Sequence, residues 1–148
     1  MKEITKYADE TGSHFTFIQM ASGLGLTSCP FTAVYAASKA YLANMCRSLN
    51  AEQDNVKFVA ACPMWVSSEM TMTNKETTMF ISPKRFVAEL MSHSWSNTVV
   101  NPYMWHRLME LAMRYFPEQM MNRMMHKKML ATKQAIVRKL EREAKQKE

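Results

Sequence analysis

Two apolar, β-prone runs constrain this chain most: "HFTFIQMA" at 14–21 and "NVKFVAAC" at 55–62. Neither holds a glycine or a proline, and each has the length of a single strand. Between them an apolar pattern starts at Thr32 and recurs every three to four residues, at Val34, Ala37, Tyr41, Met45 and Leu49. That period predicts a helix of about five turns ending near Gln53. Strand, long helix and strand form a crossover unit, the connection that parallel strands require, and such crossovers are right-handed. The second run is apolar almost throughout, as expected of a strand buried on both faces. The class is therefore α/β, with an open parallel sheet whose ligands sit beyond the carboxyl ends of the strands.

The flanking segments fit around this unit. Residues 2–10 read as the end of a helix stopped by Gly12, "GLGL" at 23–26 turns the chain, and Pro63 ends the second strand. Residues 69–82 are rich in Thr and Met and read as a loop or short helices. Ser82 caps a helix over 83–93 with Pro83 in its first turn. "NTVVNPYM" at 97–104 reads as a last strand. An amphipathic helix over 104–116 carries Arg107, Glu110 and Arg114 on a polar stripe, and a long helix runs from Pro117 to near 145, with Met121, Met125, Met129, Ile136 and Leu140 along one face. Two segments are expected: a catalytic part over 1–103 and a helical, Met-rich basic tail over 104–148.

Charge separates the same two segments. Residues 1–100 hold eight Lys/Arg and eight Asp/Glu, so the net +6 comes from residues 101–148, with eleven against five. A basic tail behind a neutral core argues against a nucleic-acid-binding domain. Cys29, Cys46 and Cys62 are too scattered for a zinc or thiol-disulfide motif and read as reduced, mostly buried thiols of a chain facing the cytosol. His93, His106 and His126 lack metal spacing and are expected on the surface or in packing. No run of eighteen apolar residues exists, and the charged opening lacks the pattern of a secretory signal. The sixteen methionines suit irregular apolar surfaces, though most such residues fill cores.

Both predicted strands end in polar residues: Ser22 after the first, "PMWVSS" at 63–68 after the second. On the helix between them, Tyr35 and Lys39 sit one turn apart and face the same way. A free phenol is a poor acid or base at neutral pH; an ammonium beside it favours the phenolate and brings proton transfer into a useful range. A serine hydroxyl at the strand mouth can hold a substrate carbonyl. Serine to orient, tyrosine to protonate and a cofactor to supply hydride together make a carbonyl reduction. With twelve lysines and five tyrosines, a Tyr-x-x-x-Lys pair arises by chance in roughly 0.4 such chains and alone marks a surface pair. The serine thirteen residues before the tyrosine and the Pro63-x-x-Val66-x-Ser68 run at the next strand end raise it to a candidate site.

These residues carry a resemblance. "MASGLG…PFTAVYAASKAYLANMCRSLNAEQ…VKFVAACPMWVSSEM" resembles the second half of a short-chain dehydrogenase/reductase, and within that superfamily the very-long-chain 3-oxoacyl-CoA reductase and 17β-hydroxysteroid dehydrogenase branch. The likeness is close over 12–70 and looser into the tail. It implies the second half of a Rossmann-like doubly wound parallel sheet and NADPH (NADP) as cofactor. It implies Ser22 to polarise the carbonyl, Tyr35 as catalytic acid and cofactor-binding residue, and Lys39 to favour its phenolate and hold the nicotinamide ribose. Pro63, Val66 and Ser68 would line the nicotinamide pocket, with the Val66 backbone meeting the carboxamide. The implied reaction reduces a 3-oxoacyl-CoA in fatty-acid elongation, with a steroid ketone as the alternative, at the cytosolic face of the endoplasmic reticulum membrane.

The sequence also departs from the family's pattern. Ala21-Ser22 replaces a Ser-Ser pair, Pro63-Met64 replaces Pro-Gly, and Ser68 replaces a threonine. The glycine-rich dinucleotide turn needs three spaced glycines after a first strand; Gly12, Gly23 and Gly25 open no such turn. The Asn-Asn-Ala-Gly segment and the helix asparagine of the proton relay are missing too, and would be expected upstream of Met1. Two consequences follow as expectations. The strand at 14–21 becomes an exposed, apolar edge that destabilises the chain or makes it aggregate, pairing with a complementing half-domain or a second copy. The competing class is a non-catalytic fragment that acts only through protein or membrane binding, the membrane contact running through 104–148.

Overall fold

The computed structural model describes residues 2–69, 71, 73, 75–93 and 96–145. Helix α1 (Lys2–Thr11) ends at Gly12, whose φ of +63° is the left-handed turn that glycine adopts at least cost. Strand β1 (Phe15–Met20) leads into a 3-10 turn at Gly23–Gly25, then into helix α2 (Ala33–Glu52) and strand β2 (Val56–Ala61). Two short strands follow, β3 (Trp65–Val66) and β4 (Phe80–Ile81), then α3 (Pro83–Ser92), β5 (Val99–Val100), α4 (Met104–Tyr115) and α5 (Glu118–Lys145). The Ser82 hydroxyl accepts from the Arg85 N–H, so the expected cap on α3 is in place.

The main sheet has the order β1-β2-β5 and is parallel throughout, with Phe15 opposite Val56 and Ala60 opposite Val99. This is the α/β class read from the sequence. Alternate residues of β2 face opposite cores: Val56, Phe58 and Ala60 join Ala8 of α1 and Ala43 and Cys46 of α2, while Val59 and Ala61 join Phe86 and Leu90 of α3. Since α2 and α3 cover opposite faces while the strand order runs on in one direction, the two crossovers have opposite hands, and one departs from the usual right-handed rule. The β5 ladder reaches only to Ala60, and below it the Asn50 side chain acts as a substitute strand. Its Oδ1 accepts from the Phe58 N–H (2.7 Å), and its Nδ2 donates to the Phe58 carbonyl (2.6 Å) and to Thr98 Oγ1 (2.9 Å).

Two regions differ from expectation. Within 69–82, of which residues 70, 72 and 74 lie outside the described residues, the chain ends in a strand: β4 pairs in parallel with β3. The stripe on α5 packs only in its first half, with Met125 buried and Met121 and Met129 half-buried, while Ile136 and Leu140 are exposed. The first half packs against the segment after the 3-10 turn, where Ser28 bonds Asn122 and Phe31 meets His126. All three cysteines are free and buried. Among the described residues no helix is long and apolar enough to cross a membrane, and no cluster of His, Cys, Asp or Glu could hold a metal.

Candidate active site

Ser22 follows β1 by one turn of chain and caps the 3-10 turn, its Oγ accepting from the Leu24 N–H at 3.2 Å. It is 5% exposed. A hydroxyl that accepts one bond still has its own proton to give, so a buried Ser22 is poised as a donor. The turn is anchored across the sheet: the Ala21 N–H donates to the Ala61 carbonyl (2.8 Å) and the Gly23 N–H to the Pro63 carbonyl (2.9 Å). The ends of β1 and β2, with Ser22 and Pro63, are therefore held side by side.

Helix α2 brings the other two side chains to this place. Lys39 Nζ donates to the Met20 carbonyl at 2.9 Å, two residues before Ser22, and lies 5.7 Å from the centre of the Tyr35 ring. Gly25 makes the fit possible. A Cβ there would stand 2.7 Å from both the Ala40 nitrogen and the Lys39 carbonyl carbon, so only glycine lets the turn seat directly on α2 at Lys39. Ser22, Tyr35 and Lys39 thus converge on the carboxyl end of β1. Tyr35 is 38% exposed, and among the described residues no hydrogen bond joins its hydroxyl to Ser22 or Lys39. The phenol is open to a substrate.

The second loop is organised differently. Val66 lies in β3, and its carbonyl accepts from the Thr71 hydroxyl at 2.8 Å. The Ser68 N–H donates to the same Thr71 oxygen at 2.9 Å, and Ser68 Oγ reaches the Val66 carbonyl at 3.5 Å. Val66 and Ser68 are therefore bound into one tight turn, and with Pro63 all three are half-buried. Met64 lies across Gly23: a Cβ on that glycine would fall 2.0 Å from the Met64 Sδ. The bulk at the Pro-Met position thus rests on the serine turn.

His106 was expected only as a surface or packing residue. It is fully buried on α4 and joins the two ends of this loop. Its Nδ1 accepts from the Met64 N–H (3.3 Å), which leaves the Nε2–H to donate to the Met79 carbonyl (3.1 Å). Burial holds its pKa below the usual imidazole range, and backbone hydrogen bonds at Met79 and Trp65 offset part of that. Its partners are backbone groups 42 and 27 residues away, so no local pattern marks it. Cys62 sits behind the serine. Burial pushes its thiol up to about 12, with Glu110 adding to the rise, so it is inert rather than a nucleophile.

The residues present fit one end of a dinucleotide and not the other. The strand-end cluster can meet a nicotinamide and its ribose. No glycine offers a diphosphate cradle: the space over Gly23 is filled by Met64, that over Gly25 by α2, and Gly12 stands at the opposite, amino end of β1.

No curated protein and no solved structure gave a significant match to the chain. The short chain dehydrogenase family matches it over residues 2–79, a span that takes in Ser22, Tyr35, Lys39, Pro63, Val66 and Ser68. With the parallel sheet and the strand-end cluster, this establishes that the chain belongs to the short chain dehydrogenase family of NAD(P)-dependent oxidoreductases.

Proposed function

We propose that the chain carries the proton-delivery side of an NADPH-dependent reductase acting on the ketone of an apolar substrate, a 3-oxoacyl-CoA of fatty-acid elongation. The observation that carries this reading is the clamp at the end of β1: Lys39 bonded to the Met20 carbonyl, Tyr35 one turn away, and Ser22 two residues beyond. Ser22 Oγ–H donates to the substrate carbonyl oxygen. The Tyr35 hydroxyl releases its proton to the same oxygen as negative charge develops there. The Lys39 ammonium favours the phenolate left behind, and with one of its three donors spent on Met20 it keeps two for ribose hydroxyls. The bound cofactor supplies the hydride. Pro63, Val66 and Ser68 shape the nicotinamide end of the pocket.

In this reading the diphosphate cradle comes from an adjoining glycine-rich half-domain, on the same polypeptide or a separate one, docked on the free edge of β1. Support comes from that edge, where Phe15, Phe17 and Met20 are exposed. The same reading puts residues 104–148 at the cytosolic face of the endoplasmic reticulum membrane. There the second half of α5 would set Ile136, Val137 and Leu140 against the acyl region and Arg138, Arg142 and Lys145 against anionic headgroups.

The test is an NADPH fluorescence titration of the chain alone and with a glycine-rich half-domain, followed by turnover of a 3-oxoacyl-CoA and a steroid ketone. Turnover of the acyl-CoA should fall about 10²–10⁴-fold in Tyr35→Phe with NADPH binding retained. Faster turnover of the steroid would transfer the assignment to a hydroxysteroid dehydrogenase. No NADPH binding in either preparation would overturn the reductase reading and leave a protein- or membrane-binding fragment.

A further inference from the structure

We infer that the cleft between the 28–36 segment and the first half of α5 is a binding site for an anionic amphiphile, a carboxylate or phosphate head on an apolar body. The cleft has a volume of about 800 Å³, within the range of small-molecule sites. Its floor is apolar, made by Cys29 and Pro30 of the loop and Ala33 and Ala36 of α2. Its rim on α5 is cationic, with Arg123 and Lys127 one helical turn apart on the same face. Like charges at that spacing repel, and among the described residues neither has an ion-pair partner. Among the described residues no acidic side chain is part of the lining; one in contact with it is Glu118, which accepts from the Ser28 hydroxyl at 3.3 Å. An anion seated between the two cations would relieve their repulsion while its apolar body covers the alanines.

The walls are built rather than incidental. The Ser28 hydroxyl donates to Asn122 Oδ1 at 2.8 Å, tying the loop to α5. Phe31 is held at a φ of +64°, in the left-handed region that an aromatic residue enters only at a cost. Beside the cleft it touches α5: the Phe31 and His126 ring centres are 4.9 Å apart in an edge-on arrangement, and the Lys133 ammonium lies 5.8 Å from the Phe31 ring centre. Ser22, Tyr35 and Lys39 are not among the residues that line the cleft. The cleft is a separate site, so its occupation needs neither cofactor nor turnover and does not depend on the reductase reading.

The experiment is calorimetric titration of the full chain, without cofactor, with dodecyl phosphate and dodecanoate below their micelle concentrations. Inorganic phosphate and dodecyltrimethylammonium serve as controls. One of the two anionic amphiphiles should bind saturably at one per chain, and the tighter of them identifies the head. Arg123→Gln/Lys127→Gln, which changes only exposed side chains, should weaken that binding by about tenfold or more. Lys6→Gln/Lys84→Gln, an equal charge change at exposed positions of α1 and α3, should leave it unaltered. Equal losses in both variants, binding of dodecyltrimethylammonium as tight as that of the anions, or inorganic phosphate binding as tightly as dodecyl phosphate would each overturn the inference.

Discussion

Strands β1 and β2 are both six residues long, both apolar, and paired in parallel along their whole length, yet they do opposite things for the fold. Val56–Ala61 is buried at every position but Lys57, with a core on each face. Phe15–Met20 has no fully buried residue; Phe15 meets Tyr7 of α1 and Phe17 meets Phe58 of β2, and both remain exposed to solvent. The inner strand holds the fold together, while the outer one presents the site and an open edge. Local composition is nearly the same in both; position in the sheet makes the difference.

The largest expected effect tests that division directly. Phe58→Ala should cost about 3–5 kcal/mol, enough to unfold a marginal chain, because the cavity opens in the middle of the core. Phe17→Ala, its neighbour across the ladder, removes a ring that is 38% exposed and should cost less, about 1–2 kcal/mol. Urea denaturation of the two variants side by side is the measurement. Equal losses would mean that β1 is not a free edge in solution and that something covers it.

A second contrast concerns the glycines at the two ends of β1. Gly25→Ala should cost about 1–3 kcal/mol, since the new methyl meets α2 backbone that cannot swing aside, and the turn carrying Ser22 must lift off. Gly12→Ala meets nothing within 4 Å and pays only for its left-handed backbone, about 1–2 kcal/mol. The two variants separate in the site rather than in stability. Binding or turnover measured at equal folded fraction should change for Gly25→Ala alone. A Gly12→Ala variant with the same functional loss would refute the clamp between the turn and Lys39.

Much of this was legible because the informative signals are local. The three-to-four spacing from Val34 to Leu49 and the Ser82-Pro83 cap place α2 and α3 to within a residue or so of their ends. The carboxyl-end rule then puts Ser22, Tyr35 and Lys39 in one place. Long-range features were not legible. The two-residue strands β3 and β4 have no period to detect, and nothing local in "FTFIQM" tells an edge strand from an inner one; the exposed edge was expected only from the resemblance and its missing half. On α5 the apolar stripe continues to Leu140, although the surface it packs on ends near Met129, since a helical period reports a face and not a partner.

The smallest effect distinguishes how the two strand ends are tied. At β1 the tie is Lys39, whose ammonium is partly solvated and bonds a carbonyl. At β2 it is His106, fully buried and neutral, accepting from the Met64 N–H. Its pKa is lowered in the folded chain, so the unfolded chain takes up a proton first as pH falls. Between the ordinary imidazole value of about 6.5 and the lower folded value the unfolded state binds more protons, and stability falls with pH. Above about 6.5 both states are neutral there and the contribution is complete. The urea midpoint should therefore decline as pH drops below that value. His106→Gln should be less stable throughout and should lack this part of the decline. An unchanged slope in the variant would show that acid acts elsewhere, and that the β2 loop does not depend on a neutral His106.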